Sequence, residues 1–397
     1  MTENKALSRM SFLFSFTDYL AFFAVLSFMT SSGGDAYTGS LGVISKGVGV
    51  LLAGISFPFL VRFFSLRRII LLSVSLTLFV FIAMIANLHG SYKFMYVLIL
   101  YQSFFAQIFI SARETYSKSL GSSDDQRSLQ AEILLSVFGG QVFGPILGFV
   151  VAQYSTPFVG IGLSFLSVLF CLFLLKVLKD NEVYTVTSIF RPFLYLKDSP
   201  RLLNIFTIRT IYFWIPASIL NVLLFPIVSE NFHLSGTHVA FMWTATGIGS
   251  TVSSWILKSD QQVFVHFFAP IRRFFECKSD SFIASWAIAI LGLVRIPVGF
   301  VSSLPVAFFF MVLAGFCLGL NATTTQSIRR KLCDKDQHPE ILALEPIVSK
   351  TTDVTTGIIT KFVFAGFLIP AKIGLAVSAL LYLLLGLYMR NEKLKEI

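Results

Sequence analysis

Apolar stretches of about 20 residues recur along the whole chain, and only short polar segments separate them. A helix needs about 20 such residues to cross the hydrocarbon of a bilayer. In lipid every backbone polar group must be bonded internally, so a repeated pattern of this length allows few folds other than a helical bundle. The composition agrees, since 55% hydrophobic and 13% charged residues exceed what a soluble core can bury. We predict an all-α, polytopic membrane protein.

Twelve spans can be drawn on this basis, and a polar, charged segment separates the sixth from the seventh. The predicted spans cover residues 10–30, 38–61, 69–88, 94–111, 133–153, 158–178, 203–228, 239–257, 282–301, 304–322, 347–367 and 373–389. We therefore predict two pseudo-symmetric six-helix bundles, residues 1–178 and 203–397, joined by a cytoplasmic linker over residues 179–202. Weak internal similarity favours this division, because Gly47-Val48-Gly49 recurs as Gly247-Ile248-Gly249.

Basic residues alternate between loops and thereby orient the chain. All but seven of the 31 Lys and Arg lie in the two termini and in every second connecting segment, and the intervening segments carry only Lys93 and Lys372. Cytoplasmic loops retain basic residues, so both termini are predicted to be cytoplasmic. The net charge of +10 thus reflects loops at one membrane face, which excludes nucleic acid as a partner. We expect a monomer in the inner membrane of a bacterium, with the lipid bilayer and a small solute as its partners.

Five basic residues remain inside apolar spans: Lys46, Arg209, Arg295, Lys350 and Lys361. Ionisable residues inside a membrane are costly and usually face a cavity or a charged partner. Asp18 and Lys46 fall at similar predicted depth in the first two spans. Two interpretations fit this pair: a carboxylate that handles protons or solute, and a structural ion pair. Because embedded cations outnumber embedded acids, we predict an anionic or zwitterionic organic solute with carboxylate or phosphate groups.

Each of the remaining embedded charges also allows two interpretations. Arg209 can bind an anionic group or extend to the lipid headgroups, and for Arg295 the second behaviour is predicted. Lys350 and Asp353 can meet on one face of the eleventh span, and Lys361, further along the same span, is then a candidate anion site. If that span begins near Thr355, Lys350 and Asp353 are simply cytoplasmic.

Polar residues on the fourth and tenth spans complete the candidate site. They can bond a solute or a neighbouring helix. Together with the residue beside Asp18, the candidates are Tyr19, Gln102, Gln107, Glu114, Asn321 and Thr323.

Local motifs resemble those of the major facilitator superfamily. The fifth span carries Gly140-x-x-x-Gly144-Pro145-x-x-Gly148, similar to the superfamily's helix 5 motif except that Phe149 replaces the last glycine. The loop after the second span, residues 60–68, is similar to the superfamily's loop motif only in its basic pair, Arg67 and Arg68. In the superfamily the Asp of this motif helps to latch the cytoplasmic side between conformations. Arg62 stands in its place here, so that role cannot be carried over.

This resemblance implies a secondary transporter in which two halves rock about a central site, with helices 1, 4, 7 and 10 along the path. Residues 189–201 resemble the approach to helix 7 in enterobactin-type exporters, and residues 15–18 are similar to lysophospholipid transporters. The first expectation is proton-coupled export of a siderophore-like solute. The alternatives are proton-coupled uptake of a carboxylate-rich solute or siderophore, and lysophospholipid transport.

The sequence offers little support for functions other than transport. The five histidines are scattered over loops and helix ends, and HExxH, GxSxG and nucleotide-binding motifs are all missing from the sequence. We therefore predict no enzyme activity, no metal and no cofactor. Residues 263–275 interleave aromatic and basic side chains, which fits either an interfacial helix or a loop with apolar anchors. A transporter-like sensor or membrane-embedded enzyme is the alternative class.

Overall fold

The computed structural model describes residues 2–33, 38–120, 126–180, 191–257, 278–332, 338–366 and 369–391. Within these ranges the chain is helical and contains no strand. We number its twelve long helices α1 (Glu3–Ser31), α2 (Thr38–Phe63), α3 (Leu66–Ala86), α4 (Tyr92–Leu120), α5 (Gln126–Tyr154), α6 (Pro157–Leu174), α7 (Trp214–Phe232), α8 (Val239–Leu257), α9 (Asp280–Arg295), α10 (Leu304–Leu332), α11 (His338–Gly366) and α12 (Ala371–Asn391). Short helices at Arg191–Asp198 and Pro200–Thr207, followed by a π-helical turn at Ile208–Tyr212, lead into α7.

Ten of these helices are long and apolar enough to cross a membrane, among the residues that are described. The other two are α8 and α11, which are long but more polar. Ser, Thr and Gly are frequent in α8, and α11 carries several charges. Both pack inside the bundle, α8 against α5 and α10 and α11 against α2 and α7. That these two also span the membrane remains a prediction.

Helix packing repeats with a period of six helices. In the first half α1 packs on α5 and α6, α2 on α4, and α3 on α4 and α6. In the second half the same pairs recur as α7 with α11 and α12, α8 with α10, and α9 with α10 and α12. The main contacts between the halves are α2 with α11 and α5 with α8. The cavity described below lies between these two groups of helices.

The repeated glycine pairs of α2 and α8 have matching positions in this arrangement. A Cβ on Gly49 would lie 2.2 Å from the Leu100 carbonyl oxygen of α4, and one on Gly249 would lie 1.9 Å from the Val312 carbonyl oxygen of α10. Each pair's first glycine instead faces the opposite half: Gly47 lies against Val354 of α11, and Gly247 against the α5 backbone. One glycine of each pair thus allows close packing within a half, and the other allows close packing between halves.

The start of α1 and the end of α12 lie at the same end of the bundle, which we call the terminal end; the other is the distal end. Tyr116, near the end of α4, donates to Glu3 at the start of α1 over 3.0 Å. Near the end of α12, the Arg390 guanidinium stacks 5.1 Å from the ring of Trp286 in the first turns of α9. The predicted cytoplasmic location of this end remains a prediction.

Three helices extend furthest beyond their predicted spans at the terminal end. The fourth span was predicted to end at residue 111, whereas α4 continues to Leu120. The tenth was predicted to end at residue 322, whereas α10 continues to Leu332, and α11 begins at His338 rather than at residue 347. Hydropathy misses these turns because they carry charges, which the structure satisfies with ion pairs. The predicted seventh span, residues 203–228, is also divided by the π-helical turn.

The linker prediction is only partly covered by the described residues. Residues 181–190 lie outside them, and residues 191–198 form the short helix noted above. The predicted interfacial segment, residues 263–275, also lies outside the described part of the chain.

Candidate functional site: a charged cavity between the two halves

A cavity of about 330 Å³ lies between the two halves. The first half contributes residues of α1, α2 and α5, and the second half contributes residues of α7 to α12. Charged residues and aromatic rings both line it, an unusual mixture for the interior of an apolar bundle. The charged lining residues are Asp18, Lys46, Arg295, Lys350 and Asp353.

The first half supplies an ion pair to this cavity. Lys46 Nζ of α2 donates to Asp18 Oδ2 of α1 over 2.6 Å. Gln102 of α4 donates to the other carboxylate oxygen, Oδ1, over 3.3 Å. The ammonium also lies 5.4 Å from the ring of Tyr19 and 5.1 Å from that of Phe22. Neighbouring charges, an amide and aromatic faces thus surround both groups, and each side chain keeps about a fifth to a quarter of its surface exposed, at 19% for Lys46 and 25% for Asp18.

The second half supplies a matching pair on α11. Lys350 Nζ donates to Asp353 Oδ2 over 2.7 Å, and the ammonium lies 3.7 Å from the centre of the Trp214 ring. Both residues fall near the middle of α11 (His338–Gly366), and where a membrane span would begin on this helix remains a prediction. The cavity is therefore flanked by two ion pairs, one contributed by each half.

Arg295 at the end of α9 also faces the cavity, and the prediction that it extends to the headgroups is wrong. Its side chain points inward and is 4% exposed. The guanidinium carbon lies 4.9 Å from the centre of the Tyr382 ring of α12. The sequence prediction failed because depth along α9 does not reveal which face of the helix is turned inward.

A second chamber of about 310 Å³ continues from the cavity toward the terminal end. Phe213, Trp214 and Lys350 line both spaces and stand at the boundary between them. Three of the predicted polar candidates, Gln107, Glu114 and Asn321, line this chamber. Together the two spaces extend from the middle of the bundle toward its terminal end.

Ionic contacts join the two halves where the chamber ends. Arg329 of α10 donates to Glu114 of α4 over 3.1 Å and also contacts Glu345 of α11. Arg113, next to Glu114, lies 3.4 Å from the same carboxylate group and donates to Ser11 of α1 over 3.1 Å. The two arginine side chains are each about 3–4% exposed, so these are buried charges. The Glu114–Arg329 contact connects the first half to the second half.

Aromatic packing joins the halves at the distal end of the cavity. The ring of Trp243 on α8 lies 5.6 Å from Phe22 and 5.4 Å from Phe23 of α1, and 6.3 Å from Phe225 of α7. The hydroxyl of Ser40 on α2 donates to the Val222 carbonyl of α7 over 2.9 Å. Contacts between the halves are thus ionic at the terminal end and mainly aromatic at the distal end.

The remaining predicted residues have varied positions. Tyr19 lines the cavity and packs edge-on against Trp243 at 5.5 Å. Thr323 is fully buried but lines neither space. Lys361, further along α11 than the Lys350–Asp353 pair, also lines neither space. The Arg209 side chain lies outside the described part of the chain.

The glycines of the helix 5 motif lie against α1, within the first half. A Cβ on Gly140 would lie 2.6 Å from the Phe16 backbone nitrogen, and one on Gly144 would lie 2.6 Å from the Phe16 carbonyl oxygen. Gly148 faces the next turns of α1 in the same way, and Pro145 lies within α5. Because α1 carries Asp18, this close contact positions one wall of the cavity.

Several cavity residues were not predicted from the sequence. Trp214, Trp243, Asn221 and Gln141 all line the cavity, as does Arg295. A tryptophan in an apolar span looks the same whether it faces lipid or a cavity, so hydropathy gives no signal for it. For Arg295 a signal existed, because a buried arginine in a membrane span is costly without a function.

Comparison with known proteins agrees with the packing pattern. The sequence profile of the Major Facilitator Superfamily matches residues 7–344. The chain belongs to the major facilitator superfamily. Among solved structures, the fold is similar to the human organic anion transporter MFSD10 (TETRAN), with a TM-score of 0.71 and 14% sequence identity over 97% of this chain and 99% of that one. None of the curated proteins searched matches the sequence.

The loop between α2 and α3, where the superfamily motif is altered, makes its polar contacts within the first half. Arg67 lies 3.5 Å from Asp180, just beyond α6, and the hydroxyl of Ser65 donates to the same carboxylate over 3.0 Å. These partners all belong to the first half. Arg68 is exposed, and the Arg62 guanidinium lies 5.8 Å from the ring of Phe63. In the described residues, the buried ionic contact between the halves at this end is instead made by Glu114 and Arg329.

Proposed function

We propose that this chain is a secondary active transporter that moves a small organic anion or zwitterion by alternating access, with the central cavity as its solute site. The main observation behind the proposal is that two ion pairs, Asp18–Lys46 and Lys350–Asp353, line one cavity from opposite halves. A solute bonded to both halves can couple its binding to their relative movement. The organic anions named for the structural neighbour are consistent with three cations in the lining.

The contacts at the two ends support a rocking motion of the halves. Opening the terminal end requires the Glu114–Arg329 contact to break, and opening the distal end requires Trp243 to separate from Phe22 and Phe23. Each half is held together internally by close helix packing, so the movement concentrates at the interfaces α2–α11 and α5–α8. We propose that the two halves are the predicted six-helix bundles and that all twelve long helices span the membrane.

The Asp18–Lys46 pair gives a physical route to proton coupling. When Asp18 takes a proton, the Lys46 ammonium loses its partner and becomes available to a carboxylate or phosphate. A proton therefore helps a carboxylate solute to bind, which gives symport. A zwitterion whose ammonium group bonds Asp18 competes with the proton for that carboxylate, which gives exchange.

Direction of transport follows from which of these solutes is carried. Exchange suits export of a siderophore-like zwitterion from a bacterial cytoplasm, the first candidate from the sequence. Symport suits uptake of a carboxylate-rich solute, the second candidate, and the Asp18–Lys46 contact favours it for any solute that carries only negative charge. Lysophospholipid transport is the third candidate, in which the cations of the cavity lining would bond the phosphate.

Flux into proteoliposomes under an imposed pH gradient tests the proposal. The solutes are a tricarboxylate siderophore, a zwitterionic siderophore and a lysophospholipid, each measured with and without the gradient. We expect gradient-dependent flux of at least one solute, and we expect Asp18→Asn to retain folding but lose the response to the gradient. Asp180→Asn is the matched control, because it makes the same change at a carboxylate outside the cavity that is 54% exposed.

Two results would contradict the proposal. Absence of protein-dependent flux for every solute, with the protein correctly inserted, would argue against transport and favour a transporter-like sensor. An undiminished response to the gradient in Asp18→Asn would remove Asp18 from the proton path while leaving transport itself intact.

A further inference from the structure

The charges that line the cavity do not balance. Lys46 is bonded to Asp18, and Lys350 is bonded to Asp353. Arg295 is the remaining charged residue of the lining, and in the described part of the chain no carboxylate lies within ion-pair distance of it. The surplus positive charge of the cavity therefore belongs to this side chain.

The guanidinium of Arg295 is buried with free donors. Its Nε and Nη1 atoms are shielded from solvent and have no hydrogen-bond partner among the described residues. The side chain is only 4% exposed, so bulk water does not compensate for these donors. Leaving a buried cation without bonds is costly, which makes the site a strong attractor for an acceptor with negative charge.

The surroundings hold the guanidinium in a geometry that suits a planar anion. Tyr382 of α12 is fully buried, and its ring centre lies 4.9 Å from the guanidinium carbon. Contact with this fixed ring restrains the guanidinium, while its Nε and Nη1 donors have no partner within hydrogen-bond geometry among the described residues. A carboxylate or phosphate can accept two parallel hydrogen bonds from a guanidinium edge, which Nη2 forms with either Nε or Nη1, whereas a lysine ammonium offers only a point charge.

We propose that Arg295 is the anion-recognising residue of the central site, binding a carboxylate or phosphate group of the solute through its guanidinium edge. The solute's apolar or aromatic part then lies toward Trp214 and Trp243, which line the same cavity. This assignment differs from the prediction that Lys361 is the anion site, since Lys361 lines neither space. It rests on the proposed function only in taking the cavity as the place where solute binds.

Binding to the purified full-length protein in detergent tests this assignment without any flux measurement. The probes are 2-naphthoate and 2-naphthamide, which have the same ring system and nearly the same size but differ in charge. Equilibrium dialysis gives the dissociation constant of each probe. For the wild-type protein we expect naphthoate to bind about tenfold or more tightly than naphthamide, a difference of at least about 1.4 kcal/mol.

Two substitutions separate the contribution of charge from that of geometry. Arg295→Met keeps a long side chain but removes the charge, and we expect this variant to bind naphthoate and naphthamide about equally tightly. Arg295→Lys keeps the charge but loses the planar edge, and we expect an intermediate preference. Arg390→Met is the matched control, because Arg390 also lies over an aromatic ring but is exposed outside the cavity. We expect this variant to show the same preference for naphthoate over naphthamide as the wild-type protein.

The outcomes are distinguishable from failure of the proposed function. The assignment is overturned if Arg295→Met keeps the wild-type preference, or if the wild-type protein shows no preference. If Arg295→Met does not fold, the wild-type probe pair and Arg295→Lys still decide the question. If naphthoate binding depends on Arg295 but the protein shows no flux for any solute, the anion site is supported and only the transport proposal is refuted.

Discussion

The Glu114–Arg329 contact predicts how strongly the terminal end is held closed. Glu114 of α4 and Arg329 of α10 are both buried, and their 3.1 Å contact joins the two halves. Opening this end separates the charges, so Glu114→Gln should favour the open state. Glutamine has nearly the same shape, and the substitution therefore removes charge with little change in packing.

The size of the effect follows from the geometry. A hydrogen bond between charged groups contributes about 1.5–3 kcal/mol, and breaking a buried ion pair by neutralising one partner costs about 3–5 kcal/mol. Arg329 retains its contact with Glu345, so we take the lower part of this range. A loss of about 1.5 kcal/mol increases the ratio of open to closed molecules about tenfold, because about 1.4 kcal/mol corresponds to a factor of ten.

Distances between spin labels measure this ratio directly. Labels are placed at Phe63→Cys in the first half and Lys278→Cys in the second half, both exposed, after the native cysteines are replaced by serine. We expect Glu114→Gln to increase the ratio of the long-distance to the short-distance population about tenfold. Asp180→Asn, which alters an ion pair contained in the first half, serves as the control and should leave the ratio unchanged.

A double-mutant cycle with Arg329→Gln completes the test. If the two residues act through their mutual contact, the effects of the single substitutions should be less than additive in the double variant. A change smaller than about threefold in Glu114→Gln, or full additivity in the cycle, would refute the view that this contact holds the halves together.

Two further predictions follow from close packing. Gly49→Ala would place a Cβ 2.2 Å from the Leu100 carbonyl oxygen, so we expect it to lower the thermal unfolding temperature, at a cost in stability of about 1–3 kcal/mol. Gly162→Ala is the control, because a Cβ there would meet nothing within 4 Å. Equal unfolding temperatures for the two variants would contradict the prediction. Phe149→Gly restores the last residue of the helix 5 motif and removes ring contacts at 4.9 Å to His238 and 4.8 Å to Phe241. We expect this variant to open the distal end more often, measured as faster labelling of a cysteine placed at Asn221; unchanged labelling would show that these rings do not hold that end closed.

Much of the architecture could be predicted from local sequence alone. Apolar stretches long enough to cross a bilayer indicate an all-helical membrane fold, because a helix bonds its backbone polar groups within one such stretch. The paired glycines of α2 and α8 already indicated two related halves. The same sequence features placed Asp18 and Lys46 at similar depth, and in the structure these two side chains are in contact. Their role in transport stays a prediction.

Tertiary structure decided which charges face the cavity. Depth in a span can be counted along the chain, but the rotation of a helix about its axis depends on its neighbours. Arg295 therefore resembled a residue that reaches the headgroups until the packing of α9 against α10 and α12 turned it inward onto Tyr382. Arg113 and Arg329 likewise counted as loop residues in the sequence, whereas in the structure α4 and α10 continue through them and their charges are buried and paired. Sequence thus determined that the chain is an all-helical membrane protein, whereas contacts between distant helices determined what lies at the centre of the bundle.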